Sequence, residues 1–281
     1  MSSASLGARR PAVVILTYNE EKDVGFALES VAGWAEELWI LDSFSTDKTL
    51  EVAARYPCKV VQRAFDSFSG QRNHAIRELP IRSEWMLFLD ADERASEELK
   101  AEIDRVLAAD PAETHFRIRR RLMWMGRWLR RGLYPTWIVR LFRRRDARCE
   151  DRPVNEHIVV SGKGAELQGD IIHEDRRGLS AWIAKHDSYA RKEAAVFLSP
   201  APADFAPSLF GAQAERKRWI RRNVWDRLPL FVRPFLYFAY RYFLRGGLLE
   251  GRPALVYHFL QALWFPFLID CYILEMRERR P

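Results

Sequence analysis

Two carboxylates one residue apart, Asp90-Ala91-Asp92, directly follow the apolar run Trp85-Met86-Leu87-Phe88-Leu89. If that run is a strand, both acids emerge at its C-terminal edge. Oxygen ligands so placed suit a hard divalent cation, Mg2+ or Mn2+, which can offset the charge of a diphosphate. The competing reading is a polar turn in which Glu93 begins a helix. Three further groups close or open neighbouring elements. Thr17-Tyr18-Asn19-Glu20-Glu21 ends one apolar run and opens a polar one; its backbone N–H groups and short side chains can hold a nucleotide, or Asn19 can simply cap a helix. Asp42 in Asp42-Ser43-Phe44-Ser45-Thr46-Asp47 is an acceptor for a base N–H or a ribose hydroxyl. Arg72 in Gly70-Gln71-Arg72-Asn73 places a guanidinium at a helix start, suited to a diphosphate or to solvent.

The elements that must position these residues alternate. Ala12 to Thr17, Leu38 to Asp42, Lys59 to Gln62 and Trp85 to Leu89 read as strands. Glu20 to Gly33, Asp47 to Arg55, Ser69 to Leu79 and Ser96 to Ala109 read as helices between and after them. Such alternation argues for an α/β fold with a mainly parallel sheet covered on both faces. Ligands of such sheets bind at the carboxyl ends of the strands, where Thr17-Tyr18-Asn19, Asp42 and Asp90-Ala91-Asp92 fall. Thr114 to Arg121, Thr136 to Phe142 and Glu166 to His173 then predict a mixed or antiparallel extension, rich in arginine, and Leu179 to Leu198 an amphipathic helix.

The reading divides the chain into a catalytic domain over 1–198, a linker over 199–211 and a helical region over 212–281. The last holds a basic helix (Ala212 to Asn223), an aromatic helix (Leu230 to Leu244), a Gly-Gly break and an apolar stretch (Ala254 to Leu274). From Glu215 onward there are 13 basic and 6 acidic residues, whereas residues 1–214 hold 32 of each sign, so the whole net charge of +7 belongs to this end. Positive charge beside long apolar runs points to an anionic membrane surface rather than nucleic acid. The apolar stretch is about long enough to span. It contains His258, Gln261, Pro266 and Asp270, however, which favours embedding at the interface or packing as a helix pair. Three scattered cysteines, Cys58, Cys149 and Cys271, read as reduced thiols, and Met1 to Pro11 shows no secretory signal.

The ordered set AVVILTYNEE, LDSFSTDKTLEVA, GQRNHAI and WMLFLDADE resembles the inverting family-two glycosyltransferases of GT-A fold, over roughly residues 11–175. Arg140-Leu141-Phe142-Arg143-Arg144, Val154-Asn155-Glu156-His157 and Gly246-Gly247-Leu248-Leu249-Glu250-Gly251 look most like the bacterial branch that glycosylates lipopolysaccharide core or related surface glycans. The resemblance implies that Thr17, Tyr18, Asn19, Glu20 and Asp42 contact the nucleoside of a sugar nucleotide, with UDP favoured. It puts Arg72 on the diphosphate, and Asp90, Ala91 and Asp92 at the ribose and metal, with Asp92 the direct ligand. It implies His173 as a further metal ligand. It implies Glu156 as the base that deprotonates the acceptor hydroxyl, with Asp151 as the alternative. The acceptor implied is a glycolipid or surface glycan, and the location implied is peripheral, on the inner face of the cytoplasmic membrane. Arg216, Lys217, Arg218, Arg221 and Arg222 would meet headgroups, and Trp219, Trp225, Phe231, Phe235, Tyr237, Tyr240 and Trp264 would sit at the interface. Rival readings are transfer to a polyprenyl phosphate, which needs no base, a non-catalytic membrane adaptor, and a basic nucleic-acid-binding protein. No recognition helix or RNA-binding signature supports the last. TYNEE lacks the glycines that a nucleotidyltransferase phosphate loop would want.

Overall fold

The computed structural model describes residues 10–152, 156–199, 208–210 and 213–279. The expected linker over 199–211 and the start of the basic helix therefore lie largely outside the described residues, as do Val154 and Asn155. The chain forms two compact units, one of residues 1–123, 135–151 and 155–177, the other of 124–134, 152–154 and 178–281. Leu179 to Leu198, read with the catalytic domain from sequence, belongs to the second unit.

The first unit runs β1 (Ala12–Thr17), α1 (Val24–Val31), β2 (Glu37–Asp42), α2 (Thr49–Ala53), β3 (Lys59–Gln62), α3 (Phe68–Arg77), β4 (Trp85–Asp90), β5 (Glu93–Ala95), α4 (Glu97–Ala108) and β6 (His115–Trp124). After β7 (Arg127–Leu129), which lies in the second unit, it resumes with β8 (Thr136–Arg143), β9 (Ala147–Cys149), β10 (Ile158–Val160) and β11 (Gly164–His173). The main sheet has the order β3-β2-β1-β4-β8-β6-β11-β5. Its first four strands are parallel, β8 is antiparallel to both β4 and β6, β6 and β11 are parallel, and β5 returns antiparallel on β11. This is the mixed, mainly parallel sheet flanked by helices that the sequence predicts. Strand order reverses where β1 meets β4, which leaves a crevice beyond Thr17 and Asp90.

The period-two rule explains the unbroken apolar runs. Val13, Ile15, Leu38, Ile40, Leu87 and Leu89 face one core with α1 and α4. Ala12, Val14, Trp39, Leu41, Met86 and Phe88 face another with α3. A strand covered on both sides has no polar face to alternate.

Two local expectations fail for identifiable reasons. The first helix begins at Val24, not Glu20, and Asn19 does not cap it. Asn19 takes a left-handed φ of 55°, outside the extended region an N-cap needs. The backbone N–H groups of Asn19, Glu20 and Glu21 donate instead to Ser45 Oγ (2.9 Å), Thr49 Oγ1 (2.7 Å) and Asp47 Oδ2 (3.1 Å) across the neighbouring loop. Glu93 begins a short strand rather than a helix, and its side chain is fully buried.

The second unit contains α5 (Leu179–Leu198), α6 (Gln213–Asn223), α7 (Arg233–Ala239), α8 (Gly251–His258) and α9 (Phe265–Glu278). Residues Phe259–Trp264 join α8 to α9 as a π turn. Pro266, which brings no N–H to the ladder, follows at the start of α9, the kind of local interruption a π turn accommodates. Gly247–Glu278 is the one helical run among the described residues long and apolar enough to cross a membrane, by length and composition only. Asp270, the charge that argued against spanning, is fully buried against Arg233, itself 1% exposed, with Nε 2.9 Å from Oδ1. Several aromatics expected at an interface also pack on other aromatic rings, among them Trp225 on Tyr237, Phe231 on Phe267 and Trp264 on Trp182. Among the exposed apolar side chains of this unit are Val232, Phe235, Leu236, Tyr240, Phe243 and Leu244, followed by Leu248, Leu249 and Leu255.

Candidate active site

The crevice end of β4 carries a row of alternating charges. Arg140, on β8 and 5% exposed, places Nη2 2.5 Å from Asp90 Oδ2 and 3.0 Å from Glu93 Oε1. Arg72, on α3, donates from Nη2 to Asp90 Oδ1 at 2.9 Å, and its Nε lies 3.6 Å from Glu156 Oε1. The order is therefore Glu156, Arg72, Asp90, Arg140, Glu93. Burial works against ionisation of Asp90, but the Arg140 and Arg72 guanidiniums outweigh it and hold the carboxyl well below the ordinary range. Burial likewise works against the charge of Arg140, and Asp90 and Glu93 outweigh it. Asp90 thus organises two arginines, and Arg72, expected on a diphosphate, lies against Asp90 in this structure.

Asp92 points elsewhere. Its Oδ2 is 3.3 Å from Nε2 of His173, the last residue of β11. Its backbone carbonyl accepts from Glu174 N–H at 2.9 Å. β5, between the two acids and α4, pairs with β11 in a register that sets His173 opposite Glu93, which is how sequence-distant residues meet. His173 Nδ1 is buried with no hydrogen-bond partner among the described residues. A carboxylate oxygen and an imidazole nitrogen bound to one ion at about 2.1 Å and a right angle would stand about 3 Å apart. The Asp92–His173 spacing is compatible with a shared divalent cation, whereas Asp90 lies against Arg140 and Arg72. No group of three His, Cys, Asp or Glu forms a complete protein cage among the described residues, so the remaining positions would fall to ligand or water oxygens.

Near Asp92 lies an acid cluster that sequence reasoning missed. Asp23, 2% exposed, accepts from Arg176 N–H at 3.0 Å. Burial pushes its carboxyl up to about 6, with Asp175 and Asp92 adding to the rise. Arg177 donates to Asp175 (3.0 and 2.7 Å) and to Glu20 Oε1 (2.9 Å). Glu20 is thus an ion-pair partner in this structure. The only signal for this cluster in the sequence is the polar run after His173, which carries no spacing of its own.

Among the residues expected to contact a nucleoside, Thr17 Oγ1 donates to Asp42 Oδ1 at 2.8 Å. Fully buried Asp42 also accepts from Ser45 N–H (2.9 Å), Ser45 Oγ (2.5 Å) and Gln62 Nε2 (3.0 Å). Burial opposes its charge, but these donors leave its carboxyl below the ordinary value. Asn19 Oδ1 accepts from Thr46 N–H at 2.8 Å, and Tyr18 is 58% exposed at the crevice rim. Ala91 is buried between the two acids. Of the two base candidates, Glu156 faces Arg72, while Asp151 Oδ1 accepts from Ser69 Oγ at 3.2 Å. Glu150 is fully buried and holds His157, backbone and ring.

The arginine block is mostly paired rather than merely solvated. Arg119 and Arg121 share Asp170 across the β6–β11 register, and Arg117 reaches Glu166 at 3.2 Å. Arg144 closes the end of α3 by donating to the carbonyls of Ile81 (2.7 Å) and Leu79 (2.8 Å).

The family model described as Glycosyl transferase family 2 matches residues 12–158. A relative from Rickettsia bellii, named an uncharacterized glycosyltransferase, is 32% identical over 124 residues, 44% of this chain and 42% of that one. The chain thus spans less than half of that relative's length. The lipopolysaccharide core biosynthesis glycosyltransferase LpsC of Rhizobium meliloti is 26% identical over 267 residues, 88% of each chain. Among solved structures, a mannosyltransferase from Pyrobaculum calidifontis, in complex with GDP-Man and Mn2+, aligns over 96% of this chain and 86% of its own with a TM-score of 0.51 at 15% identity. With more than half its length matched by the family model, this chain belongs to glycosyl transferase family 2.

Proposed function

We propose that the chain transfers a sugar, with inversion, from a nucleoside diphosphate sugar to a hydroxyl of a lipid-linked or lipopolysaccharide-type acceptor, with a divalent cation held by Asp92 and His173. The observation that carries this reading is the meeting of Asp92 Oδ2 and His173 Nε2 at 3.3 Å, beyond the β1–β4 reversal. When bound, such a cation offsets charge on the leaving diphosphate. The chain's own residues supply the rest. The loop zipped by Asn19, Ser45 and Asp47 and anchored by Asp42 forms a preorganised wall for the nucleoside. Glu156, as carboxylate, takes the acceptor proton as the hydroxyl attacks the anomeric carbon. Arg72 holds Glu156 in place and keeps positive charge beside the departing diphosphate. UDP is the favoured nucleotide. The LpsC likeness supports a surface-glycan acceptor, and the exposed apolar side chains from Val232 to Leu255 support work at a membrane surface.

The test is hydrolysis of a panel of nucleotide sugars by purified protein, with Mn2+ or EDTA, for wild type and Asp92→Ala. Slow hydrolysis of one donor, abolished by EDTA and in the variant, supports the metal-dependent reading and names the sugar. Turnover indifferent to EDTA and to Asp92→Ala removes the cation from the proposal. Once an acceptor is in hand, Glu156→Gln separates acceptors: a hydroxyl acceptor loses at least about a hundredfold in rate, whereas an already ionised phosphate acceptor loses little.

A further inference from the structure

The second unit holds a cavity of about 470 Å³ lined by Arg127, Trp128, Arg130, Arg131, Leu249 and Glu250. Three guanidiniums around one acid would ordinarily form ion pairs, but here they do not. Both oxygens of Glu250 are engaged elsewhere: Oε1 accepts from Arg130 N–H at 2.9 Å and Oε2 from Arg131 N–H at 3.0 Å. Glu250 is 7% exposed, so it works as a clamp on the backbone between two arginines and leaves their side chains to the cavity. The guanidinium of Arg130 stacks over Trp128 at 4.2 Å. A Cβ on Gly246 would stand 3.3 Å from Arg131 Nη1, and one on Gly251 3.5 Å from Arg127 Nη1, both at left-handed backbone positions. The Gly246-Gly247-Leu248-Leu249-Glu250-Gly251 segment thus gives the cavity a floor low enough for two guanidiniums. Its leucines form an apolar shoulder, with Leu248 43% and Leu249 62% exposed.

Arg127, Arg130 and Arg131 are exposed arginines lining an open, water-accessible depression, and such a lining suits a phosphate, whose oxygens match the paired donors of a guanidinium. An exposed leucine shoulder beside them suits the acyl side of an amphiphile. We propose that the Arg127–Arg130–Arg131 cavity binds a phosphate monoester or diphosphate, carried on the head of a lipid or glycolipid. Its meaning as an acceptor or anchoring site rests on the transferase reading; the binding itself does not, and is measured without donor or metal.

The experiment is flotation of the full-length protein with phosphatidylcholine vesicles containing phosphatidic acid, against vesicles containing oleate at matched surface charge. Glycerol 3-phosphate binding is followed in parallel by calorimetry. Wild type is expected to prefer phosphatidic acid. The triple variant Arg127→Gln/Arg130→Gln/Arg131→Gln is expected to bind those vesicles about tenfold more weakly or worse. The Arg→Lys triple, which keeps charge and loses the fork, recovers part of the binding. Arg55→Gln/Arg77→Gln/Arg82→Gln, which removes as much charge from exposed positions of the first unit, keeps the preference. Wild-type binding of glycerol 3-phosphate that the Gln triple abolishes, with no phosphatidic acid preference, assigns the same site to a free phosphate instead of a lipid one. The proposal is overturned if the Gln triple retains wild-type binding of both probes, or if the first-unit control loses as much as the triple.

Discussion

One nitrogen of Arg140 touches both Asp90, at 2.5 Å, and Glu93, at 3.0 Å. The first and last acids of Asp90-Ala91-Asp92-Glu93 are thereby locked to the sheet, and Asp92 is turned toward His173. By spacing alone both acids suit a cation; the packing sets Asp90 among arginines and Asp92 beside a histidine.

That lock sets the first prediction. Arg140→Met leaves two acids without their shared cation and should cost about 3–5 kcal/mol by urea denaturation, with Arg140→Lys recovering part. The folded chain holds Asp90 well below the ordinary carboxylate range. Its contribution is therefore complete above the unfolded value near 4 and is lost as pH falls toward the folded one. An acid titration should show this loss in wild type and much less of it in Asp90→Asn.

Asp23 runs the other way. Its carboxyl rises from 3.8 to about 6 on folding, so folding favours its protonated form. That advantage is complete below pH 4 and gone above pH 6. Asp23→Asn should accordingly leave stability little changed near pH 4 and raise it by up to about 3 kcal/mol at pH 7 to 8. Equal effects at both pH values would show that the carboxyl is not displaced.

In the second unit, Asp270 accepts from Arg233 and from Phe231 N–H at 2.7 Å, which holds Phe231 at a left-handed φ of 66°. Asp270→Leu alone should cost about 3–5 kcal/mol, since it strands a buried guanidinium. Arg233→Met added to it should recover much of that loss, but not all, because Phe231 N–H still lacks its acceptor. A double-mutant cycle reads the coupling directly.

His258 is fully buried, with Gly132 and Gly247 beside its ring. A Cβ on either would come within 2.6 Å of a ring atom, and Gly132 also has φ +81°. Each Gly→Ala change should destabilise the protein by about 1–3 kcal/mol. Adding His258→Ala should reduce the penalty at Gly247, where the clash is steric, more than at Gly132, where backbone strain persists. Thermal denaturation of the four variants checks the difference.

The strands of the first sheet half are legible because burial on both faces leaves uninterrupted apolar runs such as Trp85 to Leu89. Asp90 and Asp92 are legible as candidates because they follow an apolar strand, and Arg72 because the sequence reads it at a helix start, although it stands inside α3. Their pairings are not. Nothing local says that Arg140 will choose Asp90 and Glu93, or that β5 will pair with β11 and bring His173 to Asp92, since those choices are made by sheet order. The start of α1 is misread for a related reason. The amides after Thr17 find acceptors on Ser45, Asp47 and Thr49, nearly thirty residues on, instead of in a helix. Asp270 counts as a liability in a linear reading of hydropathy; Arg233, 37 residues earlier, removes that liability only in three dimensions.

The cavity arginines and the glutamate that arranges them are far apart in the chain: Arg127 to Arg131 lie in the segment that connects β6 to β8, whereas Glu250 follows the Gly-Gly turn. A chimaera that exchanged only the C-terminal segment with a relative's, joined near Gly178, would part Glu250 from the two amides it clamps. Whatever this cavity recognises is therefore not a detachable cassette. It can be transplanted, or diversify between relatives, only when the insert after Trp124 and the glycine-rich turn change together.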